Sequence, residues 1–224
     1  MLKEARASLY KQNSETKLNI LLNTLIVLVI IVLAAEMLFT VNYSGVYVVH
    51  DSMRPTLIGA ESDDQIGGDY IYINKHAKPN YGDIVVVNHR TEGCLIKRVI
   101  AFGGDRVKLV GGELYIWRKG TDGFKQEPEP EPYILPEYND SENKYNTFAN
   151  DEEGYQVEEG CFFLLGDNRN ISKDSRDPAI GSVPLTSLDG VVTEWSLKHK
   201  SLCTSFHNFF KFKLPSLFRS KKQS

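Results

Sequence analysis

The sequence predicts a mainly β domain behind one membrane-spanning helix, and three observations carry that expectation. The first is LNILLNTLIVLVIIVLAAEMLFT, residues 18–40, whose single charge is Glu36 near one end. A run of about 20 apolar residues is long enough to cross the hydrocarbon core of a bilayer. The second is a series of short segments rich in Val, Ile and Tyr: 69–74, 83–88, 94–102 and 105–110. Such segments, partly alternating and bounded by turn residues, read as strands. The third is Gly111-Gly112 between VKLV and ELYIW, the pattern of a tight hairpin whose turn needs positive φ.

The order of elements follows from flanking chemistry. Residues 1–17 carry Lys3, Arg6, Lys11 and Lys17, whereas the twenty residues after the span carry one basic residue, Arg54. Basic residues concentrate on the cytoplasmic side, so residues 1–17 are expected in the cytoplasm and residues 41–197 outside the cell membrane. A cleavable signal peptide ending near Ala34–Ala35 is the competing reading. It is disfavoured because the apolar run exceeds the ~7–15 residues of a signal-peptide core and continues through Met37, Leu38 and Phe39.

Beyond the span, turns at Gly67-Gly68, Pro79-Asn80-Tyr81-Gly82 and Gly103-Gly104-Asp105 separate the strand segments. Residues 119–160 break the pattern with a proline-rich, acidic stretch. Twelve Asp/Glu against two lysines over 121–160 suggest an insertion with little regular structure, a solvated loop on or beside the sheet. Strand character returns at 161–168 and again at 188–197. The tail, 198–224, mixes aromatics with Lys and Arg. It reads either as a segment lying on an anionic membrane surface or as a tail without regular structure.

Function classes can be trimmed. A net charge of −3 argues against a nucleic-acid partner. Histidines 50, 76, 89, 199 and 207 form no ligand pair at helical spacing, and Cys94, Cys161 and Cys203 make no metal-binding spacing, so no metal and no cofactor is expected. Outside the cytoplasm Cys94 and Cys161 are available for pairing, with free thiols as the alternative.

For covalent chemistry the conspicuous nucleophile is Ser52, at the end of the strand-like VYVVHDSMRPTL. His50 and Asp51 stand beside it, but successive residues of an extended strand point to opposite faces, so Asp51 is poorly placed to orient anything toward Ser52. The other candidate base is Lys97, flanked by Leu95, Ile96, Val99 and Ile100. An apolar environment disfavours the ammonium and leaves an amine able to take a proton from a hydroxyl.

SMRPTL at 52–57, YGDIVVVN at 81–88, IKRVIAFGGDRV at 96–107 and GDNRNISKDSR at 166–176, in that order, resemble the bacterial type I signal peptidases in their shorter, Gram-positive style. The resemblance runs from about residue 20 to 197. It implies a mainly β fold of antiparallel sheets and a Ser-Lys dyad that cleaves signal peptides from exported preproteins, with membrane lipid as the second partner. By that resemblance Ser52 is the nucleophile and Lys97 the general base. Ser172 orients the lysine amine, Asp174, Arg176, Arg98 and Asp167 brace the site, and the Ser52 N–H helps hold the oxyanion. Substrate would be bound by strand addition between 45–50 and 92–97, with Val48, His50, Met53 and Ile96 in contact with it. His50 departs from the pattern, since related sequences usually carry a small residue two positions before the serine. Ala101 and Gly103 also replace the more common Gly and Pro. Two other readings are a self-cleaving repressor-type peptidase, disfavoured by the anchor and the GDNR block, and a factor dedicated to one surface substrate such as a pilin, as peptidase or as non-catalytic chaperone.

Overall fold

The computed structural model describes residues 2–215, excepting the side chains of 2–14. It divides into two compact units, residues 1–43 and 44–224. The first is a helix, α1 (Leu2–Asn42). Its stretch Glu15–Asn42 is long and apolar enough to cross a membrane, and none of it is buried within the protein.

The second unit is built from strands β1 (Tyr43–Tyr47), β2 (Tyr70–Asn74), β3 (Ile84–His89), β4 (Gly93–Phe102), β5 (Arg106–Val110), β6 (Glu113–Trp117), β7 (Tyr155–Gln156), β8 (Cys161–Leu165), β9 (Val183–Pro184) and β10 (Leu188–Val192). Helices α2 (Glu194–Lys198) and α3 (Lys200–Asn208) follow. Seven strands form one sheet in the order β1-β2-β10-β3-β4-β8-β9, and β6-β5-β7 form a second. The pairings of β10 with β2 and β3, of β4 with β3 and β8, and of β5 with β6 and β7 are all antiparallel. The expected hairpin turn is present: Gly111 and Gly112 have φ of 55° and 85° between β5 and β6.

The strand cores are apolar on both faces. Phe162, Phe163, Leu164 and Leu165 of β8 are all at most 1% exposed, and each such side chain contributes about 1.5–3 kcal/mol relative to exposure. One core cluster joins β8 and the end of β4 to the second sheet through Ile100, Val107, Leu109 and Ile116. Another gathers Val48, Met53, Leu57, Ile71 and Val86 beneath the segment that carries Ser52.

Several elements differ from the sequence reading. Residues 161–168 are strand only to Leu165, because the Gly166 N–H donates to the Asp174 carboxylate rather than to a neighbouring strand. The segment 188–197 is strand only to Val192. There Thr193 N–H still donates to Tyr72, but the hydroxyls of Thr193 and Ser196 also bond Tyr72 O, and the chain turns into α2. Residues 119–160 do contain little regular structure, yet they are not a freely solvated loop. Asn146 is fully buried, Phe148 bridges Leu109 in β5, and β7 extends the second sheet. The tail is helical through Lys213 and lies against β2, with Tyr70 N–H donating to Thr204 Oγ1; residues 216–224 lie outside the described residues. Cys94, Cys161 and Cys203 are free thiols, with Cys94 exposed on β4 and Cys161 buried on β8, so the pairing considered above is not made.

Candidate active site

Ser52 sits in the turn after β1, and Lys97 near the middle of β4. Lys97 Nζ donates to Ser52 Oγ at 2.8 Å and to its neighbour's carbonyl, Ile96 O, at 3.0 Å. Lys97 lies beside Val85 of β3 and against Ser52, and it is only 4% exposed. Burial lowers its pKa to about 8, outweighing the opposing pull of Asp174 and Asp167, while Arg176 pushes in the same direction as burial. At pH 7 about a tenth of this amine is therefore neutral and able to accept the serine proton, against less than a thousandth for a free lysine.

The loop after β8 fastens the serine in place. Asn168 N–H donates to Ser52 O at 3.0 Å, and its side-chain amide donates to Asp51 O at 3.1 Å. Gly166 passes so close that a Cβ there would stand 2.4 Å from Ser52 O and 2.2 Å from Ser172 Oγ. The Ser52 N–H has no hydrogen-bond partner among the described residues, which leaves it available to a substrate oxygen.

Two arginine–carboxylate pairs brace this loop. Arg98 grips Asp167 through Nε–Oδ1 at 2.8 Å and Nη2–Oδ2 at 2.5 Å, and Thr56 Oγ1 donates to the same Oδ2. Arg176 grips Asp174 at 2.8 and 2.9 Å. Burial alone would raise the Asp174 carboxyl, but the hydrogen bonds and charge of Arg176 hold it below the ordinary carboxylate range.

Ser172 behaves differently from expectation. Its Oγ is buried and has no hydrogen-bond partner among the described residues, and no Ser172–Lys97 bond is made. That hydroxyl stands next to Gly166, where an added Cβ would come within 2.2 Å of it.

A groove of about 550 Å³ runs past the serine, lined by residues 46–53 on one side and Cys94–Lys97 on the other. It exists because β8 pairs with β4 only as far as Arg98↔Leu165, so the edge of β4 from Gly93 to Lys97 is open on that side. Val48, His50, Met53 and Ile96 all line it. Val48 and Met53 are each 1% exposed, so they form its apolar floor. His50 is exposed and adopts φ 65°, a left-handed conformation that costs a non-glycine residue strain. Glycine adopts this φ without that strain.

Sequence reasoning passed over Gly166, Asn168 and Thr56, although all three fall inside the quoted blocks. It also missed the acidic insertion's contribution. Glu131 pairs with both Nη atoms of the fully buried Arg169, whose Nε donates to Gly166 O. Tyr133 donates to Glu131 at 2.7 Å and lies under Arg98, with the guanidinium 3.8 Å from its ring centroid. Tyr145 O and Asn146 Oδ1 accept from Arg176. No local pattern marks these residues, which meet their partners only across the fold. Among the described residues no cluster of metal-binding side chains occurs.

A serine hydroxyl in contact with a buried lysine amine pairs a nucleophile with a base, and comparison with known proteins gives the family. The model of the family "Signal peptidase, peptidase S26" matches residues 21–196. Signal peptidase I U of Bacillus subtilis is 31% identical over 164 residues, 70% of this chain and 78% of that protein. Signal peptidase I of Streptococcus pneumoniae serotype 4 is 31% identical over 180 residues, covering 68% and 81%. A solved signal peptidase I from Enterococcus faecalis aligns with a TM-score of 0.40 at 32% identity, over 52% of this chain and 98% of that one. The chain belongs to the signal peptidase family S26, and it is a serine peptidase, a hydrolase.

Proposed function

We propose that this protein cleaves signal peptides from exported preproteins at the membrane with a Ser52–Lys97 dyad. The observation that carries the reading is the 2.8 Å contact between Ser52 Oγ and a buried Lys97 amine whose pKa is lowered to about 8. Ser52 Oγ attacks the carbonyl carbon of the scissile peptide while its proton passes to Lys97 Nζ. The oxygen that gains negative charge is stabilised by the free Ser52 N–H. Collapse of the tetrahedral intermediate breaks the C–N bond, and Lys97 returns its proton to the leaving amine, the new N-terminus of the mature protein. Lys97 then takes a proton from water, which attacks the acyl-serine ester, and the signal peptide leaves as a carboxylic acid as Ser52 regains its proton.

The substrate segment lies extended in the groove, adding a strand to the open edge of β4. Asp167, Arg98, Asp174 and Arg176 hold the loop that holds the serine. Ser172, with its unpartnered hydroxyl beside Gly166, supports that loop and is available to reach the amine when substrate displaces the resting contacts. The organisation is a single-pass membrane protein, with residues 1–17 cytoplasmic, 18–40 as anchor, and the catalytic domain 41–197 extracytoplasmic.

Purified enzyme in detergent, given a preprotein, tests the dyad. Ser52→Ala and Lys97→Ala each abolish cleavage, and Lys97→Arg fails as well, because a guanidinium stays charged. Substantial activity in the Lys97 variants would sink the dyad and point back to His50 as base. Mass spectrometry of mature N-termini in cells lacking the protein separates general secretion from service to one surface substrate.

A further inference from the structure

The C-terminal helical segment, α3 continued by a π-helical turn over Phe209–Lys213, is docked with its polarity reversed. Its polar residues face the domain: Lys200 Nζ bonds Thr56 O and Asp69, each at 2.9 Å, and Thr204 Oγ1 accepts from Tyr70 N–H at 2.7 Å. His207 stacks on Tyr70 with centroids 3.9 Å apart, and Lys211 lies over Tyr47 with its amine donating to Asp63 O. The apolar residues face outward instead. Leu202, Phe206, Phe209 and Phe210 are 69%, 62%, 43% and 50% exposed, and their spacing of four, three and one residues puts them on one side of the helix. In water this arrangement is the wrong way round, since burying the aromatic side would remove far more apolar area from solvent.

We infer that the outward face of Leu202, Phe206, Phe209 and Phe210 is a membrane-contact surface, resting in the interface of an anionic bilayer. Two further observations select lipid as the occupant. The catalytic unit is joined directly to the spanning helix, because β1 begins at Tyr43, the residue after α1 ends. Residues 195–224 carry seven Lys/Arg and no Asp or Glu; Lys200 and Lys211 are engaged by the domain, and the other five leave the segment with the positive charge that attracts anionic headgroups while aromatic side chains enter the interface. The inference rests on the single-pass reading above. It deepens that reading by giving the domain a second foothold besides its span.

The test uses the full chain reconstituted into phosphatidylcholine–phosphatidylglycerol vesicles whose acyl chains are brominated near the headgroup end. Phe206→Trp and Phe209→Trp should each gain bromine quenching over the parent, whose own Trp117 and Trp195 set the background, and should lose much of that gain in phosphatidylcholine alone. Leu28→Trp in the span is the control. If Leu28→Trp is quenched and the Phe206→Trp and Phe209→Trp variants are not, the inference is overturned and the anchor stands. If Leu28→Trp is not quenched either, the membrane reading itself fails. Crosslinking between copies through Phe206→Cys, without quenching, would assign the face to a second chain and also overturn it. As a functional readout, Phe206→Asp with Phe210→Asp should reduce preprotein cleavage several-fold in vesicles and leave it unchanged in detergent; equal rates in both settings count against the surface.

Discussion

Asn168 holds Ser52 from behind, its backbone N–H on the Ser52 carbonyl and its side-chain amide on the Asp51 carbonyl. The nucleophile is thereby fixed through its main chain, which leaves the hydroxyl free to face Lys97. Asn168→Ala removes only the amide contact, a hydrogen bond of about 0.5–1.5 kcal/mol. The expected outcome is a kcat lowered by up to roughly tenfold with KM little changed. Gly166→Ala should be far more severe, because its Cβ would stand 2.4 Å from Ser52 O. Steady-state kinetics on a preprotein distinguishes the two.

The Lys97 pKa of about 8 makes two pH predictions. Activity should rise as the amine is deprotonated through pH about 8 and then level off; a rate that keeps climbing through pH ~10 would contradict a buried base. The stability effect has the opposite sign from that of a paired lysine. The folded-state pKa lies below the unfolded value of about 10.5, so below pH about 8 burying this cation costs roughly 3 kcal/mol, and the penalty fades between the two values. In a Ser52→Ala background, Lys97→Met should raise the melting temperature at pH 7 and lose most of that advantage above pH ~10.

Charge in the acidic insertion is unequal in value. Glu131 neutralises Arg169, which is fully buried, so Glu131→Ala strands a cation and should cost about 3–5 kcal/mol in urea unfolding, with kcat falling as the 166–168 loop loosens. Glu152 is exposed, and Glu152→Ala should change stability by no more than about 0.5 kcal/mol. Equal effects would restore the picture of a uniformly solvated insertion.

His50→Gly should keep cleavage and gain stability. The left-handed φ of 65° costs a residue with a Cβ on the order of 1–2 kcal/mol, which glycine does not pay. A thermal melt checks the gain, and loss of activity would give the imidazole a chemical role.

The amino-acid sequence determined the apolar span, the strand segments between glycine turns, and the blocks that hold Ser52, Lys97 and the GDNR loop. These are local signals: hydrophobic runs, period-two alternation and residues that need special backbone angles. It could not show that the buried Ser172 hydroxyl would make no hydrogen bond to Lys97. Nor could it show that Glu131 and Tyr133, in a stretch that reads as solvated loop, would close around Arg169 and Arg98. Those contacts join residues far apart in the chain, and only the packed sheets bring them within hydrogen-bonding distance. The lysine's depressed pKa is tertiary too. Apolar flanks hinted at it, but the amine leaves water only when the fold brings Ser52 and the loop of Asp167 and Asp174 up to β4.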